Sequence, residues 1–247
     1  MSRTVSYFRI LSWLFVVGCA GVALVLSSFY LYLQPALPPV EQLRDVQLQT
    51  PLKVYSRDSK LIAEFGEMRR TPLAVEEVPS EQIQAFMAAE DSRFREHHGV
   101  DLRGLIRATY ELVSTGSIQS GGSTITMQVA KNFFLSRDRT FLRKFNEILL
   151  ALQIERELSK PEIMELYLNK IYLGNRAYGI EAAAQVYYGR SAKDLNLAQM
   201  AMIAGLPKAP STRNPLADPE RALIRRNWIL SRMEELGYID REAYRKA

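Results

Sequence analysis

The sequence places one carboxylate, Glu90, among regularly spaced apolar residues. Glu90 follows Ile83 by seven residues, which brings the two onto one face of a helix. Phe86 and Met87 share that face, so the helix would bury Glu90. Burial penalises the charged form and makes a carboxylate a stronger base, which suits general-base catalysis. The alternative is that the helix ends one residue earlier and that Glu90 faces solvent beside Asp91.

A glycine-rich segment, residues 121–124, leads into a second predicted helix that begins at Ser123 or Thr124. Such loops expose backbone N–H groups at a helix start, where phosphate binds. Basic residues follow in a cluster: Lys131, Arg137, Arg139, Arg143 and Lys144. No Gly-Lys-Ser/Thr follows the glycines, so the segment is not a Walker motif. The pattern predicts either a phosphate site or a flexible connector followed by a solvated basic face.

A second carboxylate, Glu147, lies in the otherwise apolar segment 141–158, which predicts a helix packed in the core. Arg143 precedes Glu147 by four residues, so the two can form an ordinary pair on a helix surface. A carboxylate in an apolar helix beside a basic cluster also fits a site with two acids and a bound anion. The spacing leaves both interpretations open.

The composition is that of a folded, weakly basic protein. Of the 247 residues, 47% are hydrophobic and 24% are charged, which excludes a disordered chain, and the net charge is +5. A single cysteine, Cys19, excludes a disulfide framework and a cysteine-rich zinc site. The two histidines, His97 and His98, are too few for a histidine-based metal centre and are predicted to shape a turn.

Residues 10–33 carry no charge and predict a transmembrane helix. At about 1.5 Å per residue, such a run spans the roughly 30 Å hydrocarbon core of a bilayer. A cleaved signal peptide would have a shorter apolar region of about 7–15 residues. Arg3 and Arg9 precede the span, which predicts a cytoplasmic N-terminus and an exported remainder.

The exported part is predicted to be mainly helical. Two short apolar runs, Leu52–Tyr55 and Leu61–Phe65, flank a polar turn and predict a β-hairpin after a proline-rich stalk over 34–39. Beyond residue 79 the period becomes helical, and residues 162–174 predict an amphipathic helix that ends at Gly174. The predicted helix caps are Ser80, Asp101, Asn196 and Asp218, with a capping box between Ser159 and Glu162.

Four ordered motifs resemble those of glycosyltransferase family 51. They read E-D-x-x-F-x-x-H-x-G at 90–99, G-G-S-T-I-T-x-Q at 121–128, R-K-x-x-E at 143–147 and E-x-Y-L-N-x-x-Y-x-G at 165–174. The family comprises the peptidoglycan glycosyltransferases, which occur alone or at the N-terminus of class A penicillin-binding proteins. The resemblance covers roughly residues 40–240 with no departure at a motif position. The hairpin segment is more similar to the bifunctional members.

The resemblance implies a mainly α, lysozyme-like glycosyltransferase domain with a small β-hairpin and a smaller membrane-facing lobe, preceded by one transmembrane helix. The predicted organisation is a cytoplasmic tail (1–9), the transmembrane helix (10–33), a linker (34–50), the glycosyltransferase domain (51–240) and the start of a continuation (241–247). The Ser-x-x-Lys and Lys-Thr-Gly motifs of a transpeptidase domain do not occur in the sequence. We therefore expect the chain to be the front part of a longer protein.

The resemblance also implies roles for individual residues. Glu90 would be the general base, assisted by Asp91, and Glu147 would be the second catalytic carboxylate. Lys131 and Arg139 match family positions that hold the pyrophosphate of the donor. The other predicted substrate-binding residues are Ser123, Thr124, Gln128, Arg143, Lys144 and Asn169.

The implied substrates are lipid II and the growing glycan chain, which the enzyme would join by a β-1,4 bond with release of undecaprenyl pyrophosphate. The implied location is the bacterial inner membrane, with the catalytic domain outside the cytoplasm. The implied partners are membrane lipid and other cell-wall synthesis proteins, without nucleic acid. The motifs specify no cofactor and leave a divalent cation, Mg or Mn, open. A lysozyme-like hydrolase and a non-enzymatic membrane scaffold are the alternatives.

Overall fold

The computed structural model of the chain describes residues 2–33, 35, 37–58, 61–66, 68–116, 122–135 and 140–247. These residues form ten α-helices and one two-stranded sheet. They divide into two compact units, Met1–Pro39 and Val40–Ala247. The mainly α fold class is confirmed, and the predicted domain boundaries stay predictions.

The first unit contains one long helix, α1 (Ser2–Leu33), which has no acidic residue in its first turn. Among the described residues, no helix combines the length and the apolar character that crossing a bilayer requires. The transmembrane helix predicted over 10–33 stays a prediction.

The second unit is helical apart from its hairpin. Its α-helices are α2 (Ser80–Glu90), α3 (Leu102–Thr115), α4 (Ile125–Phe134), α5 (Phe141–Glu157), α6 (Lys160–Lys170), α7 (Ile180–Tyr188), α8 (Leu197–Gly205), α9 (Pro219–Glu235) and α10 (Arg241–Lys246). Short 3-10 segments lie at Val40–Leu43, Val75–Glu77, Ala192–Asp194 and Leu206–Lys208. Helix α4 packs against α5 and α6, and α8 packs against α2 and α9.

Two large side chains join α2 and α6 within the core. Phe86 of α2 and Tyr167 of α6 meet edge to face with their ring centroids 5.7 Å apart, and both side chains are fully buried. An aromatic pair of this kind adds about 0.5–1.5 kcal/mol to the stability that burial provides. The pair fixes α2 against α6 one turn before α2 ends at Glu90.

The predicted β-hairpin is confirmed with its predicted bounds. Strand β1 (Leu52–Tyr55) pairs antiparallel with β2 (Leu61–Phe65). Leu52 lies opposite Phe65, and the register shifts at the last pair of the ladder. Branched and aromatic apolar side chains favour the pleated strand conformation, which is why these two short runs predicted the strands.

Most predicted helix caps are confirmed. Side-chain oxygens accept backbone N–H groups of the first helical turn at Asp101, Asn196 and Asp218. Glu162 accepts from the Ser159 N–H at 2.7 Å, as in a capping box. The prediction for Ser80 is wrong: Pro79 occupies the N-cap position, so Ser80 already lies inside α2.

The helix predicted over 162–174 ends earlier than expected. Helix α6 ends at Lys170, because Ile171 takes an extended backbone conformation and the chain then turns. Gly174 lies in that turn with φ +89°, and a side chain at this position would overlap the Pro210 carbonyl group. The predicted helix end at Gly174 is therefore wrong, since the glycine serves a close tertiary contact.

We predict that Gly99→Ala destabilises the fold. Gly99 has φ +87°, and an added Cβ would lie 2.7 Å from the Ala151 carbonyl oxygen of α5. The free energy of unfolding should fall by about 2–3 kcal/mol in a urea titration. Gly189→Ala is the matched control, because Gly189 has φ +64° with open space around it and should lose only about 1 kcal/mol. Equal losses in the two variants would contradict the clash.

Candidate active site

A cleft of about 1050 Å³ opens in the second unit. Its walls come from the end of α2, from α3, from the start of α4 and from the segment that runs from α8 to α9. Pockets for small molecules usually measure about 300–1,000 Å³, so this cleft suits an extended substrate. The lining side chains include Glu90, Ser123, Gln128, Lys208, Arg225 and Trp228.

Glu90 is the last residue of α2 and lies in this cleft. Its side chain is 16% exposed. The Gln128 amide donates to Glu90 Oε2 at 3.0 Å, and Arg225 Nη2 lies 3.8 Å from Glu90 Oε1. Of the two positions that the sequence left open for Glu90, the structure has the largely buried one.

Burial raises the pKa of Glu90 above its ordinary value. The hydrogen bond from Gln128 lowers that pKa. The charges of Arg225, Lys208 and Lys131 also lower it, but the effect of burial dominates. A carboxylate with a raised pKa binds a proton more strongly than an ordinary one, and nearby cations keep it ionised over more of the pH range. The cleft thus combines a strong base with positive charge.

Asp91 links the end of α2 to the start of α4 by a hydrogen bond. Its Oδ2 accepts the Ile125 backbone N–H at 3.0 Å and lies 2.9 Å from His97 Nε2. The Asp91 side chain is 4% exposed. These contacts give His97 the structural role that its sequence position predicted, while the assistance of Asp91 to Glu90 stays a prediction.

A second cluster adjoins the cleft at Ser123. Lys144 Nζ donates to Ser123 Oγ at 2.7 Å and lies 3.0 Å from Glu147 Oε2. Arg143 Nη1 lies 3.4 Å from Glu147 Oε1. The Glu147 side chain is 4% exposed, so Glu147 is both paired with Arg143 and buried in its helix. The cluster places two cations beside the cleft wall.

Two predicted substrate-binding residues make scaffold contacts. Thr124 caps α4, because its Oγ1 accepts the Met127 N–H at 3.1 Å and donates to the Gly99 carbonyl at 2.6 Å. The Asn169 amide bonds both backbone groups of Leu73, at 2.7 and 2.9 Å. Substrate binding by either residue stays a prediction.

The predicted pyrophosphate cations are described only in part. Lys131 lies on α4, close enough to Glu90 for its charge to lower the pKa of that carboxyl group. Arg139, predicted to act with Lys131, lies outside the described residues, as do Arg137 and Gly121. The described part of the predicted phosphate site therefore comprises Lys131 and the cluster around Lys144.

The sequence predictions missed the wall that α9 contributes to the cleft. Several of its residues line the cleft, and four of these follow one another at spacings of three and four: Arg221, Arg225, Trp228 and Arg232. Such spacing places them on one helix face. Lys208 adds a further cation. The spacing is visible in the sequence, but it does not tell which element that face meets.

The donor atoms near the second carboxylate do not suit a divalent cation. In the part of the chain that the structure describes, no group of three or more His, Cys, Asp and Glu side chains converges as metal ligands would. The neighbours of Glu147 are Arg143 and Lys144, whose positive charges repel a cation. The binding of a divalent cation, Mg or Mn, elsewhere in the chain stays a prediction.

Known proteins match this chain over most of its length. A protein-family model described as Transglycosylase matches residues 58–234. Penicillin-binding protein 1A of Pseudomonas aeruginosa is 64% identical over 239 residues, which cover 97% of this chain and 29% of that protein. Penicillin-binding protein 1A of Escherichia coli K12 is 52% identical over 242 residues, which cover 98% of this chain and 28% of that protein. The chain thus spans less than a third of the length of these relatives.

A solved structure also matches. The crystal structure of penicillin-binding protein 1A from Haemophilus influenzae is 36% identical in sequence, with a TM-score of 0.47. The match covers 82% of this chain and 20% of that chain.

We predict that Asp91→Ala weakens the fold, because the Ile125 N–H and His97 lose their shared partner. A buried carboxylate that accepts such bonds at a helix start is worth about 2–3 kcal/mol, and the free energy of unfolding should fall by that amount in a urea titration. Asp194→Ala removes an exposed carboxylate and serves as the control. An unchanged unfolding midpoint in Asp91→Ala would rule out the structural role of Asp91.

Proposed function

Because the chain belongs to the transglycosylase family, we propose that it is the catalytic part of a peptidoglycan glycosyltransferase. Its acceptor is then lipid II, and its donor is a growing glycan chain on a lipid pyrophosphate. The observation that carries the proposal is Glu90, a largely buried carboxylate that lies in a large cleft among cations. A base beside positive charge suits transfer from a donor whose leaving group is a pyrophosphate.

In the proposed reaction, Glu90 takes the proton of the GlcNAc 4-hydroxyl group of the acceptor. The oxygen attacks C1 of the donor MurNAc from the face opposite the pyrophosphate. The new C1–O4 bond forms as the bond from C1 to the phosphate oxygen breaks, so an α-linked donor becomes a β-1,4-linked product in one displacement. Undecaprenyl pyrophosphate leaves with the electron pair. The hydrogen bond from Gln128 orients the carboxylate for the proton transfer.

Cations beside the cleft hold the pyrophosphate and stabilise the charge that develops on it. Lys131 is proposed for this role because it lies close enough to Glu90 for its charge to act on that carboxylate. Lys144 supports it from the Ser123 side of the cleft, where Glu147 holds its ammonium group at 3.0 Å. Glu147 then orients a cation rather than taking a proton. Arg139 is proposed for the same role from the sequence motif alone.

We also propose that residues 10–33 anchor the chain in the bacterial inner membrane with the N-terminus in the cytoplasm. The support is the absence of charge in this segment and the position of Arg3 and Arg9 before it. In the first unit, Trp13 and Phe15 are 70% and 73% exposed, as side chains that face lipid would be. An anchor would keep the protein at the surface that carries its lipid-linked substrates.

We predict that Glu90→Gln abolishes polymerisation of lipid II, because the amide keeps the size of the side chain but cannot take the proton. The expected loss is about 10²–10⁴-fold, measured by gel separation of glycan chains made from labelled lipid II. Glu81→Gln changes an exposed carboxylate at the start of the same helix and should polymerise normally. Circular dichroism should match in all three proteins.

Normal turnover by Glu90→Gln would remove Glu90 from the role of base. The same assay separates the hydrolase alternative, because the unmodified protein should lengthen glycan from lipid II and leave finished glycan intact. Cleavage of finished glycan without polymerisation would favour the hydrolase.

We predict that Lys131→Ala weakens binding of the donor, because the variant loses a cation that contacts the pyrophosphate. Loss of one charge-assisted contact to a phosphate corresponds to a rise of about 10–100-fold in the donor KM, measured by initial rates at varied donor concentration. Lys246→Ala removes an exposed cation that pairs with Glu242 and is the control. A donor KM that stays the same in Lys131→Ala would count against the pyrophosphate assignment.

A further inference from the structure

Arg225 connects the end of α2 to the α9 wall of the cleft. Its Nη2 donates to the Ala89 carbonyl oxygen at 3.1 Å and lies 3.8 Å from Glu90 Oε1. The Ala89 carbonyl belongs to the last turn of α2, where carbonyl groups have no donor within the helix. A cation is also favoured there by the helix dipole. One guanidinium group therefore satisfies the helix end and faces the carboxylate beside it.

The surroundings of Arg225 hold its guanidinium group in this place. Arg225 Cζ lies 4.2 Å from the centroid of the Trp228 ring, which follows it on the same helix. A Cβ added at Gly205 would lie 3.0 Å from Arg225 Cγ, so glycine leaves the space in which the side chain passes α8. The Arg225 side chain is 17% exposed. Its charge therefore acts on Glu90 more strongly than it would in bulk water.

We propose that Arg225 is a positioning residue for the glycosyl transfer, which fixes the Glu90 carboxylate and keeps it ionised. This inference rests on the proposed function, in which Glu90 is the base. Arg225 acts through Glu90 and does not need to touch the substrate. It differs in this respect from Lys131 and Lys144, whose proposed role is direct contact with the pyrophosphate.

Several groups besides Arg225 face Glu90. They are Lys208 in the 3-10 segment after α8, Lys131 and Gln128 on α4, and the hydroxyl group of Tyr167 on α6. The carboxylate of the neighbouring Asp91 instead accepts the Ile125 N–H and contacts His97. Among the described residues, Arg225 is the cation that lies within 4.0 Å of the Glu90 carboxylate. Its removal should therefore change the protonation of Glu90 more than removal of Lys208 or Lys131.

The test is the pH dependence of kcat/KM for lipid II polymerisation. The charge of Arg225 opposes the effect of burial on Glu90, so its removal should let the pKa of Glu90 rise. The acidic limb of the profile should then move to higher pH. In Arg225→Gln we expect the midpoint of the acidic limb to move up by about one pH unit. Arg225→Lys keeps a charge but not the planar guanidinium group that lies over the Trp228 ring, so it should move the limb less and still lose rate. Arg226→Ala is the matched control, because the Arg226 guanidinium bonds to Asn227, and its limb should not move.

A folded Arg225→Gln variant with an unmoved acidic limb would overturn the proposal, because a merely structural contribution lowers the rate at every pH. Thermal unfolding checks the fold of each variant. If Arg225→Gln does not fold, the test passes to Arg225→Lys. An acidic limb and a rate that both equal those of the unmodified protein would then overturn the proposal.

Infrared difference titration of the full chain gives a second readout that needs no substrate. With Glu90→Gln as the reference, the Glu90 carboxyl band should titrate at higher pH in Arg225→Gln than in the unmodified protein. If the unmodified protein makes no glycan, the proposed function fails, and the infrared titration still decides whether Arg225 acts on Glu90. An identical Glu90 titration in both proteins contradicts the positioning role.

Discussion

A carboxylate held largely out of water at the end of a helix is the constraint on which the rest of this structure depends. Burial alone favours the protonated form of Glu90, and a protonated Glu90 cannot act as a base. The hydrogen bond from Gln128 and the cations of α4 and α9 oppose that effect without cancelling it. The cleft therefore needs positive charge for two reasons: to keep its base ionised and to receive an anionic leaving group.

The fold places these groups by joining the sequence motifs to one another. Helix α2 stops at Glu90, so the next residue, Asp91, can accept the N–H of Ile125 at the start of α4. The same junction brings Gln128 to Glu90. Lys144 then joins the third motif to the second through Ser123. The first three motifs are thus parts of one hydrogen-bonded site, although they are spread along the chain.

Local signals predicted much of the fold, and tertiary contacts decided the rest. The hairpin and most caps followed from residues within a few positions of each other. The end of α6 did not, because the position of Gly174 is set by its contact with Pro210. The scaffold contact of Asn169 with Leu73 spans 96 residues, and no local pattern reports it. Arg225 was missed for the same reason, because its contacts with Ala89 and Glu90 at the end of α2 join residues that are far apart in the sequence.

The most direct test of the central claim is a structure of the full chain with an unreactive lipid II analogue in the acceptor position. If Glu90 is the base, the GlcNAc 4-hydroxyl oxygen should lie about 2.6–3.2 Å from a Glu90 carboxylate oxygen. An acceptor bound in the cleft with that hydroxyl group beyond hydrogen-bond reach of Glu90, or directed at Glu147, would contradict the assignment.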